Sequence, residues 1–186
     1  MPPKRETHLS KIDWRAILKT QEGGIFIAGL VLALIILGWF LAAWFVDRSR
    51  AACIAAVVST HLTTGRANGV NVALGSHFTR VETIVLGSLT EGMVVCLFFS
   101  AFCLSCKKLI RVPWLHDAMR NVHDSAQSQR ARLLKWGIPG LIVFVWFPFL
   151  MTGPVVGSVI GFLLGMRPWV TVAVVMVGTI SAIISW

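Results

Sequence analysis

Residues 24 to 46 contain no charged side chain. As an α-helix rising 1.5 Å per residue this run covers roughly 35 Å, slightly more than the ~30 Å hydrocarbon core of a bilayer. A water-soluble core helix has no use for so long an uncharged stretch. The rest of the chain agrees: 56% of residues are hydrophobic, 13% are charged and mean hydropathy is +0.77. The bilayer is the expected solvent. Basic and polar residues fill positions 1 to 23, and the apolar run that follows is too long for a signal-peptide core and lacks a cleavage site. The first span is therefore predicted to stay in place as an anchor.

Two further runs, 81 to 104 and 169 to 186, are long enough to cross and contain no proline. Two other apolar segments are interrupted. Residues 51 to 75 carry Thr63, Thr64, Gly65, Arg66, Gly69 and Gly75, while 137 to 165 carry Pro139, Pro148, Thr152, Gly153, Pro154, Gly157, Gly161 and Gly165. As one helix the second segment would extend about 43 Å with Thr-Gly-Pro near its middle. A hairpin of two half-length arms fits better, and brings the turn to mid-depth. Broken backbone is tolerated there only if protein or a watery cavity surrounds it.

Lys and Arg total 17 against 8 Asp and Glu. In a membrane protein this surplus reports topology and contact with anionic lipids. No basic stripe with interleaved aromatics suggests a nucleic-acid partner. Lys4, Arg5, Lys11, Arg15 and Lys19 precede the first span, and seven basic residues occupy the loop from Lys107 to Lys135. Both regions are predicted to be cytoplasmic. Segment 51 to 75 must then enter and leave from the outside, and 137 to 165 from the cytoplasm. Before the first span, Leu9, Ile12 and Ala16 recur at helical spacing, which suits an interfacial helix or a basic tail.

The two broken segments share a pattern. Thr64-Gly65-x3-Gly69 matches Thr152-Gly153-x3-Gly157 at a constant offset of 88 residues. Gly75 then answers Gly165, and Gly87 answers Gly178. Each copy is a dipping segment followed by a span, and the charge argument orients the copies oppositely. Inverted repeats with broken helices meeting near the midplane are a common transporter plan. Glycines spaced by four can equally serve only to bring helices close.

The fold expected is an all-α integral membrane protein with three transmembrane helices and two re-entrant helical hairpins in an inverted repeat. Its parts are a basic segment 1–23, an anchor 24–46, repeat 1 over 51–104, a basic loop 105–135 and repeat 2 over 136–186. The runs Gly65-Arg66-Ala67-Asn68-Gly69 through Gly75, Trp136-Gly137 to Leu141, and Pro148 through Gly165-Met166 resemble the small multidrug export family. That family is similar in plan to the DedA/VTT membrane proteins. The resemblance implies two re-entrant hairpins and ion-coupled transport of lipid-like or amphipathic solutes. After Pro148 this chain departs from the family pattern, reading Phe149-Leu150-Met151-Thr152-Gly153-Pro154.

Charge at membrane depth costs about 2.5 to 3.5 kcal/mol on insertion scales, so an ionisable group there needs a partner or a task. Arg66 follows the first turn glycine, and Glu91 lies ten residues into the second span, with Gly87 and Ser88 on its helix face. An Arg66–Glu91 ion pair is expected, either able to take up a proton or serving only to fix packing. Glu82 and Arg80 belong to the solvated interface. The free N–H groups beside Gly65 and Gly153 suit an anionic head group. The candidate solute or ion pathway is thus Thr64, Gly65, Arg66, Glu91, Thr152, Gly153 and Pro154, with Gly69, Gly87, Gly157, Gly161 and Gly165 as packing positions.

Cys53, Cys96, Cys103 and Cys106 lie in or beside apolar runs and imply no disulfide framework. His116-Asp117 and His123-Asp124 share a helical face without a further ligand, so no metal and no cofactor is expected. No catalytic motif stands out, and the chain is not read as an enzyme. A transporter in the bacterial inner membrane, with a cytoplasmic N-terminus, is the leading expectation. Three spans are few for a complete pathway, so a homo-oligomer is expected. The rival is an accessory or assembly subunit of a larger membrane complex.

Overall fold

The computed structural model describes residues 20–106, 137–147 and 153–185. Thr152, the N-terminal residues 1–19 and the basic stretch 107–135 with its His-Asp pairs lie outside them. The described residues form seven α-helices: α1 (Gln21–Val46), α2 (Arg48–Thr64), α3 (Arg66–Gly75), α4 (Arg80–Cys106), α5 (Gly137–Trp146), α6 (Gly153–Leu163) and α7 (Pro168–Ser185). Three of them, α1, α4 and α7, are long and apolar enough to cross a membrane.

Local chemistry sets most helix ends. Thr20 accepts from Gly23 N at 3.1 Å to start α1. Asp47 leaves the helical region, ends α1 and caps α2 by accepting from Ser49 N at 2.8 Å and Ser49 Oγ at 2.7 Å. These bonds hold the exposed Asp47 carboxyl below the usual carboxylate range. Thr79 and Glu82 form a reciprocal capping box at the start of α4, with Thr79 N donating to Glu82 Oε2 (2.9 Å) and Glu82 N to Thr79 Oγ1 (3.2 Å). Glu82 is also paired with Arg50, which ties the start of α2 to the start of α4.

Small residues set the packing, as expected where lipid is as apolar as leucine and close approach supplies the attraction. A Cβ on Gly29 would meet Leu97, and one on Gly92 would meet Leu32 at 3.2 Å, so α1 and α4 run antiparallel. Gly92 also faces Met176 and Gly87 faces Ile183, which makes α4 and α7 antiparallel too. Gly24 beside Trp169 brings the starts of α1 and α7 together. Of the three long helices α4 is central, with 50% of its apolar window buried against 17% for α1.

The shorter helices fill the two ends of this three-helix frame. Because α1 and α4 are antiparallel, α2 and α3 leave from and return to the same end of it. They fold back on each other at Gly65, where φ is 92° and ψ 174°. Their contact is close because Gly69 has no side chain and α3 lies directly on the His61 ring. At the other end α5 and α6 pack together through Gly157, whose Cβ would meet Val145 Cγ2 at 2.5 Å. Gly161 faces Thr171 of α7 in the same way. Gly165 differs from the packing role expected of it. It faces open space at φ 75° and closes α6, with Met166 N bonded to Gly161 O (3.1 Å) and Gly165 N to Phe162 O (2.9 Å).

The apolar core follows this division. One buried cluster joins α1, α2, α3 and the first part of α4 through Ala43, Ile54, Val57, Ala73, Phe78 and Leu86. The other joins the rest of α4 and the first part of α1 to α5, α6 and α7 and includes Ile25, Val95, Phe99, Val145, Val159 and Val175. Between Leu86 and Val95 the central helix carries Glu91.

Candidate functional site

Glu91 lies about 16 Å along α4 from Arg80, near the middle of a helix of 27 residues. It is 8% exposed, and Arg66 at 8% and His61 at 6% are buried beside it. An ionised carboxylate this deep has to be compensated. His61 Nε2 lies 3.1 Å from Glu91 Oε1, and Arg66 Nε lies 3.8 Å from the same oxygen. The second distance is an ion pair without a hydrogen bond. With Glu91 ionised, Nε2 carries the imidazole proton and donates it to the carboxylate.

Each member is positioned by the break at Gly65. The left-handed φ there stops α2 and restarts the chain as α3, so Arg66 is the first helical residue of the returning arm and is buried. His61 stands one turn before the break and is covered by Gly69, one turn after it. Gly87, one turn before Glu91 on α4, leaves room for the other edge of the imidazole, since its Cβ would lie 3.4 Å from His61 Cε1.

The remaining arginine contact reaches the other half of the molecule. Arg66 Nη2 donates to the backbone carbonyl of Val145 at 2.9 Å. Val145 is in the last turn of α5, where carbonyls have no partner within the helix and the helix dipole is negative. Arg66 thus caps the end of α5 while facing Glu91. Among the described residues, six buried polar atoms have no hydrogen-bond partner: His61 Nδ1, Arg66 Nε and Nη1, Ser88 Oγ, Glu91 Oε2 and Thr179 Oγ1. A small cleft of about 30 Å³ lies nearer the start of α4, lined by Val70, Thr83 and Ile183 with Arg80 at the helix end.

Of the residues expected from sequence, Arg66, Glu91, Gly69 and Gly87 come together here. Thr64 is exposed, and its hydroxyl donates to Thr60 O at 2.9 Å. Gly153 and Pro154 are buried in the first turn of α6. The sequence reading overlooked His61, the Val145 carbonyl and Thr179. His61 carried a legible signal, standing between Arg50 and Arg66 in a stretch with no Asp, Glu, Lys or Arg. Val145 carried none, because any residue supplies a carbonyl.

Three long apolar helices, two pairs of half-length helices and a buried ion pair at mid-length define a multi-pass membrane protein. Residues 66–184 match the model of the family described as "Putative small multi-drug export protein". The chain belongs to that small multi-drug export family. No curated protein and no solved structure matches it.

Proposed function

We propose that the protein is a small, proton-coupled membrane transporter for an amphipathic or lipid-like solute, and that the Arg66–Glu91–His61 group is its coupling site. On this reading α2–α3 and α5–α6 are re-entrant hairpins related by an inverted repeat, in a plan similar to DedA/VTT proteins. The observation that carries it is Arg66, a buried cation held between Glu91 on the central helix and Val145 at the end of the opposite arm. Protonation of Glu91 removes the charge that holds Arg66, and the contact between the two arm pairs loosens with it. Opposed arms that meet through one hydrogen bond, on a side chain held by an ion pair to the central helix, can alternate access to a shared site.

The family description supports export as the task. The basic segments before α1 and after α4 support a cytoplasmic N-terminus, a bacterial inner-membrane location and contact with anionic lipids. Ser59, Thr63 and Thr64 in the last turns of α2 and Asn68 in the first turn of α3 are exposed around the break of the first pair. Polar side chains at that depth favour a protein neighbour over lipid, which supports a homo-oligomer. The same surface supports the alternative of an accessory subunit in a larger complex. No enzymatic step, metal or cofactor enters either reading.

The test is reconstitution of the purified protein in liposomes, with efflux of an amphipathic dye followed under an imposed pH gradient. Gradient-dependent efflux that Glu91→Gln abolishes while the protein stays folded is the expected result. Efflux indifferent to the gradient, or wild-type rates in Glu91→Gln, would remove proton coupling. Co-purification with one partner complex in fixed stoichiometry, without efflux, would favour the subunit reading.

A further inference from the structure

Helical serines and threonines in this protein usually satisfy themselves. Thr83, Thr90, Ser100, Ser158 and Thr171 all donate to a carbonyl three or four residues back. Ser88 and Thr179 do not, and both hydroxyl oxygens are buried without a hydrogen-bond partner among the described residues. Ser88 is one turn before Glu91. Thr179 follows Gly178, which packs on Val145, and precedes by one turn Ile183, which packs on Gly87. It therefore stands on α7 at the level of Glu91. Two hydroxyls turned away from their own helices, on facing elements and at the depth of the ion pair, require something to bond.

The inventory of free atoms says what that is. Arg66 Nε–H and Nη1–H2 and the Ser88 and Thr179 hydroxyls are donors. Glu91 Oε2 and His61 Nδ1 are acceptors that turn into donors on taking a proton. The start of α3 lies beside Arg66; Gly65 supplies no side-chain cap, and this helix of 10 residues presents its positive dipole end there. The guanidinium N–H groups and both hydroxyls can all donate to one added acceptor, and the guanidinium is positive, which fits an anion. Charge balance sets the condition for its entry. With Glu91 ionised opposite the Arg66 guanidinium, and the imidazole uncharged, the empty group carries no net charge. A monoanion alone would leave a net charge buried, and one proton from solvent restores neutrality. Among the described residues no ionisable group other than His61 of α2 and Arg66 of α3 faces Glu91, because the stretches of α1, α6 and α7 packed on α4 at this level carry none.

We propose that Arg66, Ser88 and Thr179 form an occluded site for a monoanionic group, a carboxylate or a phosphate monoanion, and that each anion enters with one proton. This rests on reading the Arg66–Glu91 cluster as a solute site, and names the head group and the stoichiometry. The protein purified in an uncharged maltoside detergent is titrated calorimetrically with sodium acetate, sodium phosphate and sodium dodecanoate. Each titration is run at one pH in two buffers of different ionisation enthalpy, so that the difference in heat counts protons taken up per anion. Dodecanoate binding without acetate or phosphate binding identifies an amphipathic ligand, and the converse a free anion.

One proton per bound anion is expected in the wild type. Glu91→Gln should bind the anion at least as tightly with no proton uptake, since its empty site is already positive. Ser88→Ala combined with Thr179→Val should weaken binding by about tenfold or more, with the proton count unchanged. Binding without proton uptake in the wild type, no binding of any of the three probes, or unchanged affinity in the double variant would each overturn the proposal. Absent vesicle transport with this binding intact would sink the transport reading alone.

Discussion

Arg66 and Val145 stand 79 residues apart in the chain, and a single hydrogen bond of 2.9 Å joins the guanidinium of one to the carbonyl of the other. Through it the returning arm of the first helix pair caps the outgoing arm of the second. The same guanidinium faces Glu91, so one side chain links both arm pairs to the central helix.

Removing Arg66 should therefore cost more than its contacts suggest. Arg66→Ala leaves Glu91 buried with only the imidazole beside it and the Val145 carbonyl open, and should destabilise the protein by about 3–5 kcal/mol. Replacing both partners, Arg66→Met with Glu91→Leu, should recover most of that stability without restoring transport. Thermal unfolding in detergent measures the first quantity and vesicle flux the second. A double variant as unstable as Arg66→Ala would show that the cost arises elsewhere.

Gly69 should tolerate no side chain while His61 is present, because a methyl group there overlaps the imidazole ring. Gly69→Ala is expected to cost about 1–3 kcal/mol. The penalty should shrink when His61→Ala is added, so a double-mutant cycle should give a clear coupling energy. Additive effects would place the strain in the backbone of α3.

Two glycines of the first arm pair should respond in opposite ways. Gly65 holds φ 92° with ψ 174°, a region almost closed to other residues, and Gly65→Ala should cost about 1–3 kcal/mol. Gly75 ends α3 in helical conformation with nothing near its missing Cβ. Gly75→Ala should be neutral or stabilise by about 0.5–1 kcal/mol. Unfolding midpoints of the two variants decide the matter.

Accessibility should separate the ends of the bundle. In a background free of native cysteine, Ser49→Cys and His77→Cys should react with an impermeant maleimide from one face of the membrane, and Arg167→Cys from the other. Ser49 and His77 reacting from opposite faces would mean that the first arm pair crosses the bilayer, and the coupling site at its turn would lose its basis.

The sequence alone determined the parts of this molecule. Uncharged length announces a bilayer span whatever the neighbours, and so 24–46, 81–104 and 169–186 appear as α1, α4 and α7 with ends shifted by a few residues. The break at Gly65 was equally legible, because local backbone chemistry selects glycine there. Arg66 and Glu91 stood out because charge in an apolar run is costly wherever the run folds. Tertiary structure decided which atoms answer them. The third member is His61 because Gly69 lets α3 lie on its ring, and the anchor for Arg66 is a main-chain carbonyl that no residue identity announces. It also decided between two uses of the same residue type: Gly157 and Gly161 admit a neighbouring helix, while Gly165 turns the chain in open space. Periodicity and charge are properties of a segment by itself, whereas a partner exists only once two segments occupy the same place.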